Sequence, residues 1–231
     1  MIRLLDIIFS SLALMLFLPI FILLTLTLKI TGEGEIFFLQ DRVGQRKKKF
    51  KVIKFATMLK DSPNIGSGSI TSKDDPRILP VGRLLRKTKI NEMPQLINVI
   101  VGQMSLIGPR PHAERDLQGI DKVTLDEVLM LKPGLSGIGS IIFRNEEEIL
   151  QTFENPRPFY DQVIAPYKAQ LELWYCRNRS PMLYFALIYL TIINVIKPDM
   201  NNLFRLFPNL PRLPHSLRKY FDLDAIYLEN D

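Results

Sequence analysis

Three patterns of apolar residues divide the chain. From Ile7 to Leu28 no side chain is charged, and only Ser10, Ser11, Pro19, Thr25 and Thr27 interrupt the apolar run. That stretch suffices to cross a bilayer core, which takes about 20 helical residues. Arg3 would suit the basic start of a secretory signal, but the polar segment Thr31 to Glu35 offers no small-residue cleavage site. A retained membrane anchor over residues 1–30 is therefore predicted. Pro19 removes a backbone hydrogen bond near its middle, so a bend is expected. A bent helix either crosses with a kink or turns back so that both ends stay on one face.

The second pattern is alternation. Ile36 to Leu39 reads as a short strand, Gln40 to Gly44 as a turn, and Phe50, Val52, Ile53 and Phe55, interleaved with Lys51 and Lys54, as the returning strand of a hairpin. The third is helical spacing. Met93, Leu96, Ile97, Ile100 and Val101 predict an amphipathic helix over Glu92 to Val101 that buries these five. Asn91 would cap its start, Pro94 is tolerated in its first turn, and Gly102 stops it. Further helices are expected between Asp116 and Leu131 and from Phe159 through Ser180. The apolar run Met182 to Ile196 is short for a span and is expected at a membrane interface or in the core. Asp61 to Asp75, rich in Ser, Gly, Asn and Pro, is a loop, either disordered or a lid. The fold class is thus α+β, mainly α. Residues 1–30 form the anchor, and residues 31–231 form a small domain with one β-hairpin and interfacial amphipathic helices.

Charge adds direction. The net charge is +6, and Arg42, Arg46, Lys47, Lys48, Lys49, Lys51 and Lys54 crowd the flank after the anchor, which assigns that flank to the cytoplasm. A basic surface suits anionic lipid heads or phosphate-bearing substrates. Nucleic acid is set aside as a partner because no nucleic-acid motif accompanies the charge. The single cysteine, Cys176, excludes an intramolecular disulfide and fits a cytoplasmic domain. His112 and His215 stand too far apart in sequence to suggest zinc. Asp74 and Asp75, before Pro76, read as a solvated turn rather than metal ligands.

Candidate chemistry concentrates between Arg83 and Pro111. A helix start at Asn91 and Glu92, with Arg83, Arg86, Lys87 and Lys89 just upstream, would favour phosphate. Arg110, held between Pro109 and Pro111, suits bidentate phosphate contact. Lys54 could reach a phosphate from its strand.

Five ordered segments carry a family likeness: Gln40–Gly44 (QDRVG), Lys54–Met58 (KFATM), Asp75–Gly82 (DPRILPVG), Gly102–Pro111 (GQMSLIGPRP) and Lys132–Gly137 (KPGLSG). The chain resembles the bacterial sugar transferases, monotopic phosphoglycosyl transferases. The resemblance implies a re-entrant anchor in the bacterial inner membrane with the catalytic domain on its cytoplasmic face. It also implies transfer of a sugar 1-phosphate from a UDP-sugar to polyprenyl (undecaprenyl) phosphate with release of UMP, as the first membrane step in bacterial surface polysaccharide or glycoconjugate synthesis. Magnesium and membrane lipid are implied with it, and a homo-oligomer is left open. The implied catalytic residues are Glu92 and Asn91, also the metal ligands; Lys54, Arg86 and Arg110 are the implied phosphate-binding residues.

Two departures stand out. The family usually places an aspartate nucleophile where this chain has Asn91, and a neutral amide is a poor nucleophile. Glu92 could act as nucleophile or as general base in a direct transfer; Asn91 could ligate metal through its carbonyl oxygen; or the protein could be a catalytically silent homologue that serves as a binding or assembly partner. After Gly137, Ile138 to Ile142 replace the usual tryptophan and polar run, a place where substrate choice could differ.

Overall fold

The computed structural model of the protein describes residues 1–62, 75–117, 120–196 and 200–221. It is mainly helical, with two small two-stranded sheets and a long apolar helix at the N-terminal side. The expected loop Asp61 to Asp75 lies outside the described residues from 63 to 74, as do 197–199 and 222–231. The contacts form two compact units, Met1–Leu106 and Ile107–Asp231.

In the first unit, α1 (Ile2–Ile30) runs unbroken over 29 residues with Pro19 inside it, about 43 Å at 1.5 Å per residue. Its most apolar window has a mean hydropathy of 2.8 and is only 6% buried. Leu12, Met15, Leu16, Leu18, Leu23 and Leu26 all point outward. A helix apolar on every face and bare at its centre belongs in a bilayer, so this is a membrane protein. Both of its ends are tied to the rest of the unit. Near the start, the Arg3 guanidinium donates to the carbonyls of Val99 and Ile100. The buried Asp6 carboxylate accepts from the Ser105 hydroxyl at 2.9 Å and the Leu106 N–H at 3.0 Å. Toward the other end, Leu28 is buried with Phe55 and Leu85, with Phe21, Leu24, Ile36 and Val81 packed around them.

The hairpin forms as expected but longer. Strands β1 (Phe37–Val43) and β2 (Lys49–Phe55) pair antiparallel, from Phe37 opposite Phe55 to Val43 opposite Lys49. Gln40 to Val43, expected in the turn, belong to β1. The reversal falls instead at Gly44 to Lys48, where Arg46 (φ 55°) and Lys47 (φ 61°) take left-handed conformations. Helix α2 (Pro80–Lys87) follows, and Gly82 lets it press on the preceding backbone: a Cβ there would lie 2.2 Å from the Thr57 carbonyl oxygen. Asp75 is not a solvated turn residue. It is buried, and its carboxylate takes the Arg77 guanidinium at 2.6 and 2.8 Å.

The helix expected over Glu92 to Val101 is split. Ile90–Glu92 is a 3₁₀ turn entered through Lys89 at φ 61°, and α3 proper is Gln95–Val101, preceded by Pro94 as its cap residue. Asn91 is therefore not the N-cap, and no helix N-terminus is aimed from Asn91 and Glu92. The physical reason is the left-handed Lys89, which reverses the chain into a tight turn before Pro94 admits helical bonding. Gly102 ends α3 at φ 94°, as expected. The buried face is also rotated: Gln95, Leu96, Asn98 and Val99 are inside, while Val101 is 67% exposed. Asn98 explains the rotation. Its Oδ1 accepts from the Ile53 N–H at 3.0 Å, and its Nδ2 donates to the Lys51 carbonyl at 2.8 Å and to Gln103 at 2.7 Å. One amide thus satisfies the open edge of β2 as a third strand would.

The second strand pair is β3 (Ser105–Ile107) with β4 (Gly134–Ser136). The second unit otherwise consists of helices. Its first, α4 (Lys122–Val128), is shorter than expected and is capped by Asp121. Then come α5 (Ile138–Ile142), α6 (Glu146–Leu150) and α7 (Pro156–Phe159). A π-turn at Tyr160–Ile164 leads into α8 (Ala165–Asn178). The last three are α9 (Pro181–Ile196), α10 (Met200–Leu206) and α11 (His215–Arg218). Ile138, Ile141 and Ile142, which replace the family's polar run, are core residues. Helix α9 is core on one face, through Leu183, Tyr184, Leu187 and Leu190, and bare on the other, through Met182, Tyr189 and Ile192.

Candidate active site

Four of the five sequence-predicted residues fall in the first unit. Lys54 lies on β2, Arg86 on α2, and Asn91 and Glu92 on the 3₁₀ turn, which packs against both β2 and α2. Lys54 Nζ stands 3.4 Å from Glu92 Oε1, and the two side chains are 19% and 20% exposed. A pair at that depth is strong enough to be preformed and open enough to be re-partnered by an incoming phosphate. Arg86 is half-buried, with Nη1 3.9 Å from the sulfur of Met58. Asn91 is 7% exposed, and its Oδ1 has no hydrogen-bond donor among the described residues. A buried acceptor left in that state normally costs about 1–3 kcal/mol.

Magnesium, which the family resemblance implies, can be tested against these donors. Among the described residues no three His, Cys, Asp or Glu side chains gather to hold an ion. Asn91 Oδ1 and the Glu92 carboxylate are nevertheless hard oxygen donors. They suit an ion that keeps several waters and takes further ligands from substrate phosphates, which is how magnesium is usually bound.

Arg110 lies in the second unit, on the loop after β3. Its side chain is exposed while its main chain is fixed. The Gly108 N–H donates to Ser136 at 3.0 Å, and the Gly134 N–H donates to Pro109 at 2.7 Å. Gly108, Gly134 and Gly137 approach so closely that a Cβ on any of them would meet backbone at 2.2–2.6 Å. The KPGLSG and GPRP segments are therefore two halves of one turn structure. Two residues here escaped the sequence reading. Glu172 on α8 accepts the Arg110 N–H at 3.0 Å, and its other oxygen meets His112 Nε2 at 3.1 Å. The legible signal was an isolated carboxylate on the apolar face of LELWYC. Burial, assisted by Glu172 and Glu127, pushes the neighbouring Cys176 thiol up to about 12.

The sequence that builds these two regions matches a known family. The family model for bacterial sugar transferases covers residues 1–198. The chain belongs to the bacterial sugar transferase family. It is 35% identical over 193 residues to a UDP-glucose:undecaprenyl-phosphate glucose-1-phosphate transferase of Klebsiella pneumoniae, covering 82% of this chain and 39% of that protein. It is 30% identical over 211 residues to an uncharacterized sugar transferase of Haemophilus influenzae, covering 85% and 41%. It is 34% identical over 155 residues to the exopolysaccharide production protein ExoY of Rhizobium meliloti, covering 61% and 68%. The chain thus spans about two fifths of the length of the first two relatives.

Proposed function

We propose that this family member transfers a sugar 1-phosphate from a UDP-sugar to a polyprenyl phosphate, releasing UMP, in the synthesis of a bacterial surface polysaccharide or glycoconjugate. The observation that carries the reading is the Lys54–Glu92 pair next in sequence to an Asn91 oxygen that has no partner among the described residues, in a chain of this family that carries a bilayer helix. Lys54 and Arg86 offer positive charge to the donor's phosphates, and Arg110 is assigned to phosphate contact from its exposed place on the rigid turn.

With Asn91 in place of a carboxylate, a direct transfer fits best. An oxygen of the acceptor phosphate bonds to the β-phosphorus as the bond from that phosphorus to the bridging oxygen breaks, and UMP leaves with that oxygen. Glu92 accepts the proton of an acceptor that arrives as the monoanion, and Lys54 steadies the carboxylate beforehand. Magnesium, when bound by Asn91 and Glu92, would supply neutralisation of diphosphate oxygens.

The membrane reading is also finer than a simple anchor. Arg3 and Asp6, at one end of α1, bond to residues 99–106, while Phe21, Leu24 and Leu28 pack with Phe55 and Leu85. Contacts from both ends of the unbroken helix hold it against one compact unit, a re-entrant path would need a bend at Pro19 within the bilayer, and the basic hairpin supports the cytoplasmic face.

The replacement of the usual nucleophile by Asn91 favours one rival reading, a silent homologue that binds without turnover. UMP release from a panel of UDP-sugars with polyprenyl phosphate and Mg²⁺ separates the two. Turnover by wild type that falls about thousandfold in Glu92→Gln supports the enzyme. Silence in wild type with activity in Asn91→Asp supports the silent homologue.

A further inference from the structure

The loop that carries Arg110 is referenced to a single buried carboxylate. Pro109 and Pro111 fix φ on either side of Arg110 and donate no hydrogen bond. The Arg110 N–H goes to Glu172 Oε1 at 3.0 Å, and His112 Nε2 meets Oε2 of the same carboxylate at 3.1 Å. The Glu172 side chain is 4% exposed and that of His112 is 11% exposed. One helical turn later on α8, the Tyr175 hydroxyl donates to the Ile107 carbonyl at 3.3 Å, so one face of α8 holds the loop at both of its ends. Gly137, Ile138, Gly139 and Ser140 line the same shallow depression as Arg110 and Glu172. Burying a carboxylate is costly unless it is hydrogen-bonded, and Glu172 meets that condition only through these two groups of the Arg110 loop among the hydrogen bonds described.

We propose that Glu172 is a positioning residue: from α8 it sets the backbone direction at Arg110, and through it the reach of the guanidinium toward a substrate phosphate, with His112 orienting the carboxylate. This rests on the reading of Arg110 as a phosphate-binding residue. Positioning of this kind matters because a displacement of about 1 Å at a contacting group can cost on the order of a hundredfold.

The experiment measures UDP-glucose affinity and amide exchange at Arg110 in the full chain held in nanodiscs. The comparison is of wild type with Arg110→Ala, Glu172→Leu, the double variant and Glu172→Gln. Glu172→Leu should weaken UDP-glucose binding about tenfold, as expected for the loss of an orienting hydrogen bond, and should release the Arg110 amide to exchange. The double variant should bind no more weakly than Arg110→Ala alone. Glu172→Gln, which keeps an acceptor for the Arg110 N–H, should bind within about threefold of wild type. A released amide with unchanged affinity in Glu172→Leu, or losses that add in the double variant, would overturn the positioning role. Unchanged affinity in Arg110→Ala would instead remove the phosphate-binding reading and the inference built on it. If Glu172→Leu does not fold, His112→Leu replaces it: a loss of about threefold to fivefold supports the proposal, and wild-type affinity overturns it.

Discussion

Glu92 and Glu172 are both carboxylates in loop-built sites, yet they are held in opposite ways. Glu92 sits on a 3₁₀ turn, a fifth exposed, facing a lysine across 3.4 Å. Glu172 sits on a 14-residue helix, almost fully buried, with both oxygens committed to groups of one loop. An ammonium on a four-carbon stem can move when a phosphate arrives; a backbone N–H between two prolines cannot. Accessibility and an exchangeable partner suit Glu92 to the reacting role proposed for it, whereas depth and fixed partners suit Glu172 to shaping the loop.

The largest effect is expected at Glu92 itself: Glu92→Gln should cut turnover about thousandfold while leaving the melting temperature unchanged, and a melting loss with turnover intact would erase the distinction. Next come the glycines that let each unit close. Gly82→Ala puts a Cβ 2.2 Å from the Thr57 carbonyl, and Gly134→Ala puts one 2.2 Å from the Gly108 nitrogen. Either should cost about 3 kcal/mol, read by denaturant unfolding, because the obstacle is backbone rather than a movable side chain. Asn98→Leu should cost about 2 kcal/mol in the same measurement, since it strands the Ile53 N–H and the Lys51 carbonyl at the edge of β2. The smallest effect is expected at the exposed pair of Glu127 and Arg177. Hydrogen bonding from Arg177 holds the Glu127 carboxyl below its usual range. Its contribution is therefore present at neutral pH and fades as pH falls through the carboxylate range. Arg177→Ala should flatten only that acid-side slope of stability.

Much of this was legible in the chain. The uncharged run before Leu28 announced α1, the alternation around Lys51 and Lys54 announced the hairpin, and Gly102 marked the end of α3. Lys54 and Glu92 were placed on candidate elements that the fold does bring together. What could not be read was long-range. Nothing near Asn98 in sequence says that it faces β2, so the buried face of α3 was expected one set of residues away. The left-handed Lys89 overrode the good capping propensity of Asn91, because a turn packed on two other elements outweighs a local preference of about 1 kcal/mol. Asp75 looked like a turn residue because its partner, Arg77, becomes buried only in the folded unit. Glu172 showed in sequence only as a carboxylate in an apolar helix, and its role stayed hidden because its two partners lie about 60 positions upstream.

The anchoring of α1 has a practical consequence for making this protein. Cutting away the helix to obtain a water-soluble form would strip the Val99 and Ile100 carbonyls, the Ser105 hydroxyl and the Leu106 N–H of their bonds to Arg3 and Asp6. It would also open the cluster of Phe55 and Leu85 where Leu28 now sits. The helix is therefore as much a structural wall as a membrane tether, and purification in detergent or nanodiscs should succeed where truncation yields aggregates.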